Sequence, residues 1–402
     1  MNTFKALGIN DSLVDLLAHQ GIKTPSPIQS MTIPTILDGT DVIAQAQTGT
    51  GKTLAFLLPI FQTINLDSRE VQGLIVTPTR ELALQITEEA NKLAGDSEIG
   101  ILCVYGGQDL KKQLKKLDKG IHLIIATPGR LLDHLHRETI VLDHLKALVL
   151  DEADQMLLIG FKQEVELILK RTNRNKQSMC FSATLDKHVK KLAYKFMNNP
   201  VEIQAQSENV TLDVIRQKVI LATDRSKQEA LIKELEATNP FLGIIFCRTK
   251  RRADKLEGDM TRLKMSVNKL HGDMSQSARQ HVMKSFRDAK FQFLVTTDVA
   301  ARGIDVTGIT HIYNYDIPET PDSYIHRIGR TGRMGDDGAA ITFISPKDKP
   351  LLVAIENAIG KKLPVTEHKS EHFDNVSDMK DKMHHVRVEK KHVPKKGHRS
   401  RR

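Results

Sequence analysis

Asp41-Val42-Ile43-Ala44-Gln45-Ala46-Gln47-Thr48-Gly49-Thr50-Gly51-Lys52-Thr53-Leu54-Ala55-Phe56-Leu57-Leu58 packs a strand, a glycine-bearing loop and a helix into one stretch. Asp41–Ala44 reads as a short buried strand and Leu54–Leu58 as the opening of a helix. Gly49 and Gly51 let the loop between them curl its backbone N–H groups inward. The positive end of the following helix adds to their pull on an anion. In that setting Gln47, Thr48, Gly49, Thr50 and Gly51 cradle phosphates, Lys52 neutralises the β- and γ-phosphates, and the Thr53 hydroxyl ligates Mg²⁺. Ala46 stands where the general pattern has glycine, so the match is incomplete by one residue.

The same strand-then-helix rhythm continues outward in both directions. Gly73–Thr77, Ile99–Tyr105, His122–Ala126, Ala147–Leu150 and Ser178–Phe181 read as further strands, with amphipathic segments such as Arg80–Leu93 between them. The rhythm restarts with Gln217–Leu221, Gly243–Cys247, Val267–Lys269, Phe293–Thr296, His311–Tyr315 and Ala340–Phe343. Strands alternating with helices predict an α/β fold in which parallel sheets are covered on both faces. Residues 1–203 are expected to form one domain and 214–364 a second, with the polar stretch 204–213 as a linker.

A length of 402 residues suits two such domains rather than one core. No apolar run is long enough to span a bilayer, and the N-terminus lacks a signal peptide's apolar stretch. Cys103, Cys180 and Cys247 have neither metal-site nor disulfide spacing, which points to the cytoplasm. The net charge is +10, yet residues 361–402 alone hold 13 Lys or Arg against 6 Asp or Glu. Residues 365–402 read as a basic tail, disordered on its own, and such a tail suits a polyanionic partner.

Asp151-Glu152-Ala153-Asp154 closes the apolar run Leu145–Leu150. That puts carboxylates at the carboxyl end of a sheet strand, where open α/β sheets bind ligands. Asp151 is expected to hold Mg²⁺, and Glu152 to orient and deprotonate an attacking water. Read locally, Ser182-Ala183-Thr184 is a cap, with Ser182 or Thr184 starting a helix over Asp186–Phe196.

With these motifs in place, the chain resembles the DEAD-box RNA helicases from Phe4 to about Pro364. The resemblance implies two tandem RecA-like domains that use ATP and Mg²⁺. Gly21-Ile22-Lys23-Thr24-Pro25-Ser26-Pro27-Ile28-Gln29 is similar to the family's adenine-reading motif, which makes Phe4, Lys23 and Gln29 nucleotide contacts. A Gln amide offers one donor and one acceptor, which suits the N6/N7 edge of adenine. The resemblance also implies that Ser182 and Thr184 bond Asp154, that His326 meets the motif around Asp154, and that Gly303 and Asp305 lie near the ATP ribose and phosphates. In His326-Arg327-Ile328-Gly329-Arg330-Thr331-Gly332-Arg333, arginine recurs at every third position. Arg330 and Arg333 match the family's arginine fingers, groups that contribute about 10³–10⁵ in rate in nucleotide hydrolases.

Candidate RNA contacts are Pro78, Thr79, Arg80, Gly106, Gly107, Thr127, Pro128, Gly129 and Arg130 in the first half, with Arg248, Thr249, Gln276, Arg279, Thr296 and Thr297 in the second. Each of the first-half groups follows a strand, where a loop or helix start presents N–H groups to a phosphate. Aromatics make up only 4% of the chain, so the grip is expected on sugar and phosphate with little sequence preference. The expected activity is ATP-dependent opening of short RNA duplexes or remodelling of ribonucleoprotein, driven by closure of the two domains. Ribosomal precursors and mRNA-decay complexes are compatible partners, and no membrane is. The alternatives are an ATP-gated RNA clamp or annealing platform and, behind it, a DNA helicase of the same superfamily.

Overall fold

All strands of the first half run parallel. They are Val42–Gln45 (β1), Gly73–Val76 (β2), Ile101–Val104 (β3), Leu123–Ala126 (β4), Ala147–Asp151 (β5), Gln177–Ser182 (β6) and Val201–Gln204 (β7), in the order β3-β4-β2-β5-β6-β1-β7. The structure, a computed structural model, describes residues 3–46, 50–107, 120–204, 215–301, 306–332 and 338–368. It divides into two units, one built on residues 3–204 and the other on 215–368.

Alternate residues of each strand face opposite cores, as the two-residue period of a strand requires. Val42 and Ala44 join Phe56, Ile75, Val149 and Phe181 on one face, while Ile43 joins Leu74, Leu148, Met156 and Val165 on the other. Burial on both faces is why these strands read as continuous apolar runs in the sequence. Asp41 fixes the start of β1 between its neighbours. One carboxylate oxygen accepts from Ser178 N at 2.7 Å and the other from Asn198 N at 2.7 Å.

The second unit repeats this order with Ile215–Leu221 (β8), Leu242–Phe246 (β9), Val267–Leu270 (β10), Phe293–Thr296 (β11), Ile309–Asn314 (β12), Gly338–Ile344 (β13) and Val365–Glu367 (β14). Its sheet runs β10-β11-β9-β12-β13-β8-β14, again with parallel pairs. Strand for strand, β8 therefore takes the place of β1, β12 that of β5 and β13 that of β6.

Two strands absent from the sequence reading, β7 and β14, are the corresponding edges of the two sheets. Both are short and largely exposed, so neither carries an apolar signal. Gln204, read as linker, ends β7, and residues 365–367, read as tail, form β14 against β8. Residues 205–214 and 369–402 lie outside the described residues.

Candidate nucleotide and RNA sites

The strand ends of the first sheet carry two groups of predicted residues, separated by the sheet order. The ends of β5, β6 and β1 bring together Asp151, Glu152, Asp154, Ser182, Thr184 and Lys52. The ends of β3, β4 and β2 bring together Gly106, Gly107, Thr127, Pro128, Gly129, Arg130, Pro78, Thr79 and Arg80.

On the first side, Lys52 opens the helix Lys52–Thr63 behind Gly51, whose φ of 88° is a left-handed value that glycine adopts without strain. The helix packs against β6 through Phe56 and Phe181, with ring centroids 5.3 Å apart. The Lys52 ammonium is buried and has no hydrogen-bond partner among the described residues. A buried charge left so is costly by several kcal/mol, so the site is built for an anion. Thr53 is half-buried on the first turn, beside Lys52. Gln47, Thr48 and Gly49 lie outside the described residues.

Asp151 ends β5 fully buried. Burial pushes its carboxyl above the usual range, and the Lys52 charge and a 3.0 Å bond from Glu152 N pull the other way. Glu152 has a φ of 52°, a left-handed conformation costing about 1–3 kcal/mol in a non-glycine residue. The strained backbone thus sits in a buried acid at the end of β5. Asp154 is fastened twice at the end of β6: its N–H donates to Ser182 Oγ at 3.3 Å, and Thr184 Oγ1, just beyond the strand, donates to its carboxylate at 3.2 Å. Ser182 Oγ in turn donates to the Thr184 carbonyl at 2.7 Å. The helix beyond is capped by Asp186, which accepts from His188 N and Val189 N, rather than by Ser182 or Thr184.

Gln29 is buried and joins its loop to the phosphate loop. Its oxygen accepts from Ser26 N at 2.8 Å and its amide donates to Gly51 O at 2.9 Å. A Gln amide has a second lone pair and a second hydrogen, so one acceptor and one donor remain for a base. A Cβ at Gly51 would lie 2.5 Å from that amide nitrogen, which explains the glycine. Phe4 differs from expectation: its ring is 1% exposed in the core, so no face is open to a base, and it anchors the N-terminal turn. Lys23 is exposed.

Asp151 feels the charges of both Lys52 and Asp154, and acids at this strand end beside a phosphate site suit a divalent cation. Among the described residues no cluster of three or more acidic, His or Cys ligands forms a cage. Mg²⁺ is held typically by one or two carboxylates plus phosphates and water, so Asp151 and Thr53 fit it.

On the second side, Thr79 caps the helix Arg80–Ala94 by accepting from Leu82 N. The Arg80 guanidinium lies over Gly106, where a Cβ would come within 3.1 Å of it. Arg130 Nε reaches the Tyr105 carbonyl at 3.4 Å. Gly107 and Gly129 are exposed, while Pro78, Thr127 and Pro128 are buried beneath them. The result is one ledge of backbone and two guanidinium groups.

The second unit divides in the same way. The candidates Arg248, Thr249, Gln276, Arg279, Thr296 and Thr297 lie at or beyond the ends of β9, β10 and β11. Their surroundings sort them. Arg248 and Thr249 are exposed, and Thr249 caps the helix Lys250–Arg262. Thr296 is fully buried and donates to Leu270 O at 2.9 Å, so its hydroxyl braces β10 rather than facing outward. Arg279 is buried too and donates to His271 O at 3.1 Å. Thr297 is buried, and its carbonyl accepts from Ala301 N. Gln276 opens the helix Gln276–Arg287.

Of the regular arginines, Arg327 is structural. It forks onto Asp298, with Nη2 at 2.7 Å from Oδ2, and donates to Asn314 Oδ1 and Asp316 O. The sequence reading gave neither Arg327 nor Asp298 a role. Arg327 lies on the helix Pro321–Ile328 and Arg330 beyond its end, a separation that the three-residue spacing does not reveal. Arg330 is buried just beyond the helix Pro321–Ile328, and His326 is half-buried on its last turn. Gly303, Asp305 and Arg333 lie outside the described residues.

Comparisons with known proteins agree with this division. The family described as DEAD/DEAH box helicase matches residues 26–192, and the helicase conserved C-terminal domain matches residues 226–335. The ATP-dependent RNA helicase CshA of Limosilactobacillus reuteri is 43% identical over 353 residues, covering 88% of this chain and 71% of that protein. CshA of Listeria monocytogenes is 43% identical over 363 residues, covering 90% and 70%. Among solved structures, Saccharomyces cerevisiae Dbp5 bound to RNA and ADP BeF3 superposes with a TM-score of 0.84 at 29% identity, covering 96% of this chain and 99% of that one. Mss116p bound to ssRNA and AMP-PNP gives a TM-score of 0.83 at 30% identity, covering 93% and 80%.

Proposed function

Because this chain belongs to the DEAD-box ATP-dependent RNA helicases, we propose that its first unit binds ATP with Mg²⁺ at the ends of β5, β6 and β1, and RNA along the ends of β3, β4 and β2. The observation that carries this reading is Lys52, a buried ammonium at a helix start that feels the buried Asp151 carboxylate and has no hydrogen-bond partner among the described residues. Thr53 and Asp151 hold the magnesium ion, which when bound neutralises charge on the transferring phosphate. Gln29 offers its remaining donor and acceptor to adenine. Glu152, fixed by its left-handed backbone, orients the attacking water and accepts its proton. Arg330 and Arg333 supply positive charge to the terminal phosphate when the second unit closes on the first.

RNA lies along Arg80, Gly106, Gly107, Gly129 and Arg130, and continues to Arg248 and Thr249. These contacts address sugar and phosphate, so sequence preference is low. A strand bent across both units cannot keep A-form pairing, so a short duplex opens locally. ATP and RNA each favour closure, and each therefore tightens the other. The basic residues beyond 368 hold RNA nonspecifically near the core, with strong salt dependence.

Two measurements on the full chain test this: RNA-stimulated ATP hydrolysis, and separation of a short RNA duplex with ATP. Lys52→Ala is expected to lose both. Retention of RNA with a non-hydrolysable analogue but no strand separation selects the clamp reading, and stimulation by DNA but not RNA selects the DNA helicase. Hydrolysis unaffected by Lys52→Ala would remove the phosphate site from the account.

A further inference from the structure

Lys227 opens the helix that follows β8, as Lys52 opens the helix that follows β1, and β8 holds the same place in its sheet that β1 holds in the other. Both lysines are buried, at 2% and 6% exposure. They differ in what meets the ammonium. Lys227 Nζ lies 3.9 Å from Asp348 Oδ2, and Asp316 and Asp224 add further attraction.

Those acids come from the neighbouring strand ends. Asp348 follows β13, the counterpart of β6, and its Oδ2 accepts from Ser345 N at 2.8 Å and Ser345 Oγ at 2.7 Å. Asp316 follows β12, the counterpart of β5 with its terminal Asp151. Carboxylates of the chain itself thus occupy the surroundings where, in the first unit, a lysine awaits a phosphate.

Asp316 also reaches both functional edges of its unit. Its Oδ2 accepts from Arg248 N at 2.9 Å and its Oδ1 pairs with Arg252 Nη2 at 3.1 Å. Its backbone carbonyl accepts from Arg327 Nη1 at 2.6 Å, on the helix that leads to Arg330. Arg252 additionally lies over the Tyr315 ring, 5.3 Å from its centroid.

We propose that Lys227 and Asp316 are positioning residues for RNA-stimulated ATP hydrolysis. Their ion cluster, built in the place of a second nucleotide site, holds the Arg248–Thr249 loop and the Arg327–Arg330 segment in one register. RNA seated at the loop thereby presents the arginines correctly, and loosening the cluster weakens both together. This rests on the function proposed above for those two segments.

The test uses the full chain with Asp316→Asn, Lys227→Met and Lys227→Arg. ATP-analogue affinity, thermal midpoint, and the kcat and half-saturating RNA concentration of ATP hydrolysis are measured well below the midpoint. Asp316→Asn and Lys227→Met are expected to leave analogue affinity within about twofold. Each should raise half-saturating RNA and lower kcat together, by about tenfold, as coupling through a packed network allows. Lys227→Arg should restore most of both. A lowered midpoint with kcat and half-saturation unchanged would make the cluster merely structural, and a change in only one parameter would end the coupling claim. If Asp316→Asn does not fold, the Lys227 pair decides. If the unaltered chain shows no RNA stimulation, the proposed function fails first, and separately.

Discussion

The two units put the same topology to opposite electrostatic uses. At the strand ends of the first, the buried Lys52 ammonium feels the Asp151 charge but has no hydrogen-bond partner among the described residues. In the second, Lys227, Arg252 and Arg327 are met by Asp348, Asp316 and Asp298, with Asp224 adding to the attraction at Lys227. A matched cluster is satisfied by the chain alone and stiffens what it touches. An unmatched one stays costly until a ligand of complementary charge arrives. The two units thus differ in which buried charges find a partner within the chain rather than in fold.

The sharpest way to break that comparison is Arg330→Ala, which takes away the one described arginine assigned to reach across from the second unit. RNA-stimulated kcat is expected to fall by about 10³–10⁵ with ATP affinity kept, and Arg330→Lys should recover little because its point charge lacks the planar fork. A loss matched by a lowered thermal midpoint would reassign Arg330 to packing.

Glu152→Gln should reduce kcat by about 10²–10⁴ while ATP and RNA still bind, as expected for removal of a general base. Near-normal single-turnover hydrolysis would exclude it from that role. Thr184→Ala deletes the 3.2 Å bond to the Asp154 carboxylate. A hydrogen bond to a charged group contributes about 1.5–3 kcal/mol, so a tenfold or greater loss of strand separation per ATP hydrolysed is expected. An unchanged ratio would show that this bond does not couple the two.

The smallest effect concerns stability. Burial raises the Asp151 carboxyl pKa in the folded chain, more than Lys52 lowers it. The folded state therefore holds that proton more tightly than the unfolded state. The favourable contribution is present at low pH and lost as pH rises through the folded value. At pH 7 the unliganded chain bears a cost for that buried charge, which Asp151→Asn removes. Calorimetry should give a higher midpoint at pH 7, with the gain shrinking as pH falls. Turnover should be lost. A lower midpoint at pH 7 would mean that Lys52 depends on Asp151 more than burial penalises it.

Much of the architecture was legible because buried parallel strands are apolar on both faces, as with Gly73–Val76 and Leu123–Ala126. Edge strands Val201–Gln204 and Val365–Glu367 were not, since their identity lies in pairing rather than composition. Site residues followed the same divide. Lys52 and Asp151 were readable from local spacing after a strand. Thr296 was read as an RNA contact but is buried with its hydroxyl bonded to the end of β10, and Phe4 was read as a ring packing on adenine but fills the core.

The amino-acid sequence alone determined the strand–loop–helix unit around Gly51-Lys52-Thr53, the acids that end β5 and the order of the remaining motifs, because these depend on residues close together in the chain. Tertiary structure decided that Arg327 is a support held by Asp298, and that Lys227 has an acid of its own unit within ion-pair distance. Asp298 and Arg327, or Lys227 and Asp348, are distant in sequence. Whether such charges cancel depends on which strand ends the sheet order sets side by side.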